Sequence, residues 1–124
     1  MTGALVGLHH VQVSCPADSE EALRVFYTGL LGMVEVPKPP ALAARGGVWF
    51  RAGTCEIHCG VEPGFTPARK AHPGIVVHGL DHLVRRIVDA GLAVTWDDDF
   101  PGMRRVYLAD PVGNRLELLE PLTA

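Results

Sequence analysis

What is missing from this chain narrows it first. It carries no block of lysine or arginine, and with 11 basic against 14 acidic residues its formal charge is −3. Nothing in it offers the electrostatic grip that nucleic acid or an anionic membrane requires. No apolar stretch approaches the roughly 20 residues of a membrane span, and the opening MTGALVGLHH has neither the charged start nor the cleavage site of a secretory leader. The expectation is a cytoplasmic protein that meets small molecules rather than nucleic acid or lipid. Cysteine is scarce and odd in number, Cys15, Cys55 and Cys59, which excludes a disulfide framework in a chain large enough to build a core. On a strand Cys55 and Cys59 would stand roughly 13 Å apart at about 3.3 Å per residue, too far for one bond or one ion, so both read as small buried hydrophobes. Phosphate loops are absent as well: no G-x-G-x-x-G or Walker pattern occurs, and ARGG is too short to serve as one.

What is present is ordinary globular composition, 48% apolar and 20% charged, which predicts one domain over residues 1–124. Two passages of that domain are alike. The first runs from the alternating GLHHVQVS into DSEEALRVFYTGLLG, where Asp18 with Glu21 suggests a capped helix start and Gly32 a stop. Strands at MVEV, GVWFRA and CEIHCGVE follow. The second opens with HPGIVVHG and continues as the helix LDHLVRRIVDAG, with an apolar stripe of Leu80, Leu83, Val84, Ile87 and Val88 and a stop at Gly91. Its strands are AVTWD, MRRVYLAD and RLELLEP. Val48, Trp49 and Phe50 match Val106, Tyr107 and Leu108, and Val61, Glu62 and Pro63 match Leu119, Glu120 and Pro121, each 58 residues apart. An internal duplication follows: an α+β fold of two βαβββ modules, about 5–62 and 72–121, joined by a linker over 63–71. About 60 residues with one helix bury too little surface to stand alone, so the two share one domain.

Strand alternation then sorts the polar residues. Val11 and Val13 share one face and His10, Gln12 and Ser14 the other. Cys55, Ile57 and Cys59 oppose Glu56, His58 and Gly60. Ile75 and Val77 oppose His72, Gly74 and Val76, while Leu116 and Leu118 oppose Arg115, Glu117 and Leu119. Glu117 poses the sharpest question, because a carboxylate among leucines is costly to bury without a partner. Four strands, two per module, each place a possible ligand on the face away from the helices. A curved sheet would gather them in a cup, and imidazole with carboxylate suits zinc, nickel, cobalt, manganese or iron(II). The plain alternative for Glu117 is an ion pair with Arg104 or Arg105. Arg105, Tyr107 and Trp49 would line the cup, with core packing as the alternative for the two aromatic residues. WDDDF reads as a solvated turn, and His9, His78 and His82 as structural or exposed.

LHHVQVS, FYTGLLGM, HPGIVV and RRVYLADPVGNRLELLEP together resemble the glyoxalase/bleomycin-resistance/extradiol dioxygenase superfamily over nearly the whole chain. The resemblance implies paired βαβββ modules curled around a metal cup, usually in a homodimer. It carries the ligand positions onto His10, His72 and Glu117. A fourth, variable position falls best on His58, provided the turn before that strand differs by one residue between modules. It also implies a divalent-metal-dependent lyase or isomerase of glyoxalase type acting on a small oxygenated molecule or its thiol conjugate, with Glu117 or Glu56 as the proton-transfer group. A metal-free drug-binding or metabolite-binding module is the main alternative. An extradiol dioxygenase is less favoured, since such enzymes usually carry longer chains.

Overall fold

Eight strands form two separate four-stranded sheets in the computed structural model, which describes residues 3–123. Residues 1, 2 and 124, the ends of the expected domain, lie outside the described residues. In module one, β1 (Val11–Cys15), β2 (Val34–Val36), β3 (Val48–Ala52) and β4 (Cys55–Val61) take the order β1-β4-β3-β2. In module two, β5 (Gly74–Val76), β6 (Thr95–Asp97), β7 (Met103–Ala109) and β8 (Arg115–Pro121) repeat that order as β5-β8-β7-β6. Each first strand pairs parallel with the last strand of its own module, and the other pairings are antiparallel. A parallel neighbour needs a crossover, and each module supplies a helix for it.

The two crossover helices are built differently. In module two, α3 (Leu80–Asp89) is regular; of the expected apolar stripe Leu80, Val84 and Ile87 are buried and Leu83 partly so, whereas Val88 is exposed. In module one, α1 (Glu20–Arg24) passes directly into a wider π-helical segment, Val25–Leu30, where the Leu31 N–H reaches the Phe26 carbonyl five residues back at 3.0 Å. The extra residue per turn lets Leu23, Phe26 and Tyr27 all point inward. Asp18 does not cap this helix. It sits in the left-handed region at φ 64°, Ser19 holds the N-cap position with its hydroxyl on the Pro16 carbonyl, and Glu20 instead accepts the Gly47 N–H at 2.8 Å. A short helix that the sequence reading did not foresee, α2 (Pro40–Ala43), fills the PKPPALAARGG stretch.

The core lies between the helices and one face of both sheets. Cys15, Ile57, Cys59, Val48 and Phe50 from module one and Val106, Leu116 and Leu118 from module two belong to one apolar cluster with Leu23, Tyr27, Leu80 and Ile87. All three cysteines are free, and burial pushes the Cys59 thiol far above its usual range, as befits a packing group. Gly47 is fixed by crowding: its φ is 84°, and a Cβ there would stand 2.2 Å from the Cys59 carbonyl oxygen, so no other residue lets the chain enter β3 this way.

The DPVGN turn between β7 and β8 stitches the modules together. Asp110 accepts the backbone N–H groups of Val112 and Asn114, the Asn114 side-chain amide and the Tyr27 hydroxyl, the last at 2.8 Å from the module-one helix. The same Asn114 amide donates to the Ser14 carbonyl on β1 at 2.8 Å. A buried carboxylate with this many donors is satisfied rather than stranded. Among the described residues no helix is long and apolar enough to cross a membrane.

Candidate functional site

The sheet faces turned away from the helices carry the polar residues that alternation assigned to them. On module one, Gln12 lies beside His58 across the β1–β4 ladder and Trp49 lies opposite His58 across β3–β4. The His58 ring is sandwiched, 3.8 Å and 3° from the Trp49 ring on one side and 3.8 Å and 14° from the His10 ring on the other. Lys38 stands 6.0 Å beyond, over Trp49. Glu56 meets His58 Nε2 at 2.7 Å and accepts Arg51 Nε at 3.0 Å. Hydrogen bonds from His58 and then Arg51 hold the Glu56 carboxyl below its usual range. Burial pushes His58 below its ordinary value, with Glu56 pulling the other way. A neutral His58 therefore donates its Nε2–H to Glu56 and keeps its lone pair on Nδ1.

On module two, Gly74 lies beside Glu117 and Tyr107 opposite it. Glu117 is 6% exposed. Its Oε1 faces His72 Nε2 at 2.8 Å and its Oε2 accepts Arg105 Nη1 at 3.1 Å. Burial alone would raise the Glu117 pKa, but His72 and Arg105 outweigh it and the carboxyl titrates below its usual range. Arg105 is itself held by Asp97, through Nε at 3.0 Å and Nη2 at 2.8 Å. The acidic WDDDF turn thus has a task at its first aspartate that its composition did not announce. The ion pair offered as the plain alternative for Glu117 is present with Arg105, whereas Arg104 turns to Asp81 on α3.

The two ladders reveal how the modules correspond. Trp49 and Tyr107, 58 apart, stand opposite His58 and Glu117, which are 59 apart. His10 and His72 each lie two residues before the neighbour of that central residue, Gln12 and Gly74. The path from Tyr107 to Glu117 is therefore one residue longer than that from Trp49 to His58, His58 is the counterpart of Glu117, and the counterpart of Glu120 is Val61 rather than Glu62. His10, His58, His72 and Glu117 occupy two copies of one pair of positions.

These donors suit a divalent cation in chemistry, and His72 suits one in orientation. Its Nδ1 lies 2.7 Å from the Lys70 carbonyl and so must carry a proton, which directs Nε2 at the carboxylate. The 2.8 Å between Nε2 and Oε1 is close to the roughly 3 Å separating two ligands at right angles around an ion about 2.1 Å from each. The module-one pair fits less well as it stands. An imidazole lone pair lies in its ring plane, so stacked, nearly parallel rings cannot both aim at one ion, and His10 would have to leave the stack. Among the described residues of a single chain, no three imidazole, thiolate or carboxylate groups are gathered as one metal site. His9, His78 and His82 are exposed. Sequence reasoning did not single out Arg115, which stands over the Tyr107 ring with its guanidinium carbon 4.1 Å from the centroid. Its only signal was its phase, two residues before Glu117.

A curved pair of four-stranded sheets with helices on one side and histidines and a carboxylate on the other defines the class of protein, and comparison agrees. The family model for the glyoxalase-like domain matches residues 11–119, and the chain belongs to that family. It is similar over 98% of its length, at 43% identity and a TM-score of 0.95, to the whole of a Bacillus anthracis protein described as of the glyoxalase family. Two more distant structures share the fold. The antibiotic-binding protein TnmS3 of Streptomyces sp. CB03234 has 19% identity and a TM-score of 0.74, covering 98% of this chain and 100% of its own. The lactoylglutathione lyase of Agrobacterium tumefaciens has 20% identity and a TM-score of 0.68, covering 97% and 96%. No curated protein matches significantly.

Proposed function

We propose that this chain is a divalent-metal-dependent lyase or isomerase of glyoxalase type, acting on a small oxygenated molecule or its thiol conjugate, with its cup completed in a homodimer. The observation that carries the reading is the His72–Glu117 pair, backed from behind by the Lys70 carbonyl and spaced as two ligands of one ion would be. His10 is the third ligand and comes from the equivalent position of the other module. Because the two pairs do not meet within one chain, the reading requires sheet one of one copy to face sheet two of another. When bound, zinc, nickel, iron, manganese or cobalt would polarise two neighbouring substrate oxygens and lower the barrier to proton movement beside them.

The chain's own residues do the rest. Arg105 holds Glu117 in place through Oε2 and leaves Oε1 toward His72. Glu117, whose Oε1 lies beside the His72 nitrogen that would share its ion, is the proton-transfer group; Glu56, held by His58 and Arg51, positions His58, which can add a fourth ligand through Nδ1. Trp49 and Tyr107, opposite the two central residues, form the walls against which substrate lies.

A second reading is favoured by one observation: Glu117 is already paired with Arg105 and in hydrogen-bond contact with His72, which is how a metal-free small-molecule binder would settle the same carboxylate. Elemental analysis of freshly purified protein separates the two. The enzyme reading expects about one divalent ion per chain, a dimer by light scattering, loss of the ion in His72→Ala, and turnover of a methylglyoxal–thiol adduct with no catechol cleavage. Full metal occupancy in His72→Ala, or a metal-free wild type that still binds small molecules, would replace it with the second reading.

A further inference from the structure

Arg115 is the cation of the open face that the site described above does not use. The register makes it the module-two counterpart of Glu56, each being two residues before the central His58 or Glu117. Glu56 spends both oxygens on its neighbours, whereas Arg115 makes no side-chain hydrogen bond and no ion pair among the described residues. Arg105, four positions along the same β7–β8 ladder, is by contrast fully engaged by Asp97 and Glu117. Arg115 is half-buried, its guanidinium set over Tyr107, which fixes the plane of its donors without consuming them. Beside it opens a cavity of about 380 Å³ that is also lined by His72, Gln12 and Thr66. The acidic residue of that lining, Glu62, is exposed to solvent.

We infer that Arg115 is the oxyanion receptor of this cup, and that the molecule bound there carries a carboxylate or phosphate group. This deepens the functional reading and rests on it only in so far as both place a small molecule against the module-two face. A guanidinium whose five N–H groups are unanswered and whose plane is fixed by an aromatic ring is prepared for a two-point contact with a planar oxyanion. His72 lines the same cavity, so an anion held by Arg115 lies within the reach of a small molecule from the His72–Glu117 pair. A neutral ligand of the same shape would leave the charge unmatched.

The test is a titration of the intact protein, as purified and after chelation, with pyruvate, phenylpyruvate, inorganic phosphate and the neutral ester methyl pyruvate, followed by calorimetry and by the Arg side-chain Nε–H signals in NMR. At least one of the anions is expected to bind and to shift the Arg115 signal, with methyl pyruvate about tenfold weaker or more than pyruvate; which anion binds best separates carboxylate from phosphate. Arg115→Gln should remove the preference for charge while leaving metal content and dimer mass unchanged, and Arg115→Lys should restore part of it. The inference is overturned if no anion binds at millimolar concentration, if Arg115→Gln binds anions as the wild type does, or if that variant loses its dimer, which would make Arg115 an interface residue. Failure of the metal reading looks different: chelation and His72→Ala would change nothing while the charge preference persisted.

Discussion

The two modules place an ionisable group at the same position of the same ladder and stabilise it in opposite ways. In module one it is His58, kept neutral by burial, pressed between Trp49 and His10 and tethered to Glu56. In module two it is Glu117, kept charged by His72 and Arg105. The surroundings follow the group: an aromatic stack and a carboxylate around the imidazole, a histidine and an arginine around the carboxylate. A duplicated frame thus fixes where a functional group stands, while the residues on either side of it decide its charge. Gly47 and Arg105 make the same point, since they are 58 apart in sequence: one turns the chain beneath the Cys59 carbonyl, and the other spans from Asp97 to Glu117.

The largest effect expected from breaking this comparison is at Gly47. Alanine there would put a Cβ 2.2 Å from the Cys59 oxygen at a φ of 84°, and the combined clash and backbone strain should cost about 3 kcal/mol or more, read as a failure to fold or a collapse of the denaturant midpoint. Next is the stitch between modules. Tyr27→Phe removes the hydroxyl that donates to Asp110 and leaves a buried carboxylate oxygen one donor short, at a cost of about 1–3 kcal/mol and a Tm lower by roughly 3–10 °C. Both modules should still melt together, because the core cluster is shared; two separate transitions would show that the stitch, rather than the core, joins them.

Much of this frame was legible in the sequence because burial imposes a period of two on strands and 3.6 on helices. Ile57 and Cys59 against Glu56 and His58, or Leu116 and Leu118 against Arg115 and Glu117, could be sorted by phase alone. Register across the sheets was less legible. The matched motifs at β4 and β8 suggested a uniform spacing of 58, the family resemblance required a one-residue difference to reach His58, and the ladders show that residue on the path that carries Asp110 and Asn114. The partners of Glu117 could be only half foreseen, since one lies 12 and the other 45 residues away and strand phase does not say which of two neighbouring arginines bends back. The parts of Asp97 and Arg115 were not legible for a related reason: phase put Arg115 on the Glu117 face, but charged turns and strand ends have the same composition whatever they face. The π-helical turn left no signal, because Val25 to Leu30 suits an ordinary helix equally well.

Acid should act on the two modules in different ranges. His58 has a pKa depressed below 6.5 in the folded protein, so the unfolded chain takes up its proton first, and the stability His58 supplies is complete above about 6.5 and lost as pH falls through its lower folded value. Glu117 is depressed below 4.5; its contribution is present above the unfolded carboxylate pKa and disappears only at lower pH. Denaturant midpoints of chelator-treated protein from pH 8 to pH 3 should therefore fall in two stages, with His58→Gln removing the first and Glu117→Gln shrinking the second, to which Glu56, Asp97 and Glu120 also contribute. A single stage near pH 4 would mean that burial does not hold the imidazole neutral.

The smallest effect tests the one-residue offset itself. Glu120 accepts the N–H groups of Gly79 and Leu80 at 2.7 and 3.1 Å and so caps α3 from the neighbouring strand, which keeps its carboxyl below the usual range and complements the helix dipole. Matched motifs would assign Glu62 the same duty toward α1, but the ladders put Val61 in that place, and Ser19 at the N-cap of α1 makes no side-chain cap. Glu120→Ala should therefore lower Tm slightly and speed amide exchange in the first turn of α3, with a loss that grows smaller at high salt. Glu62→Ala should change neither helix. If the two substitutions weakened their helices alike, the modules would correspond by the constant spacing of 58, and His58 would no longer be the counterpart of Glu117.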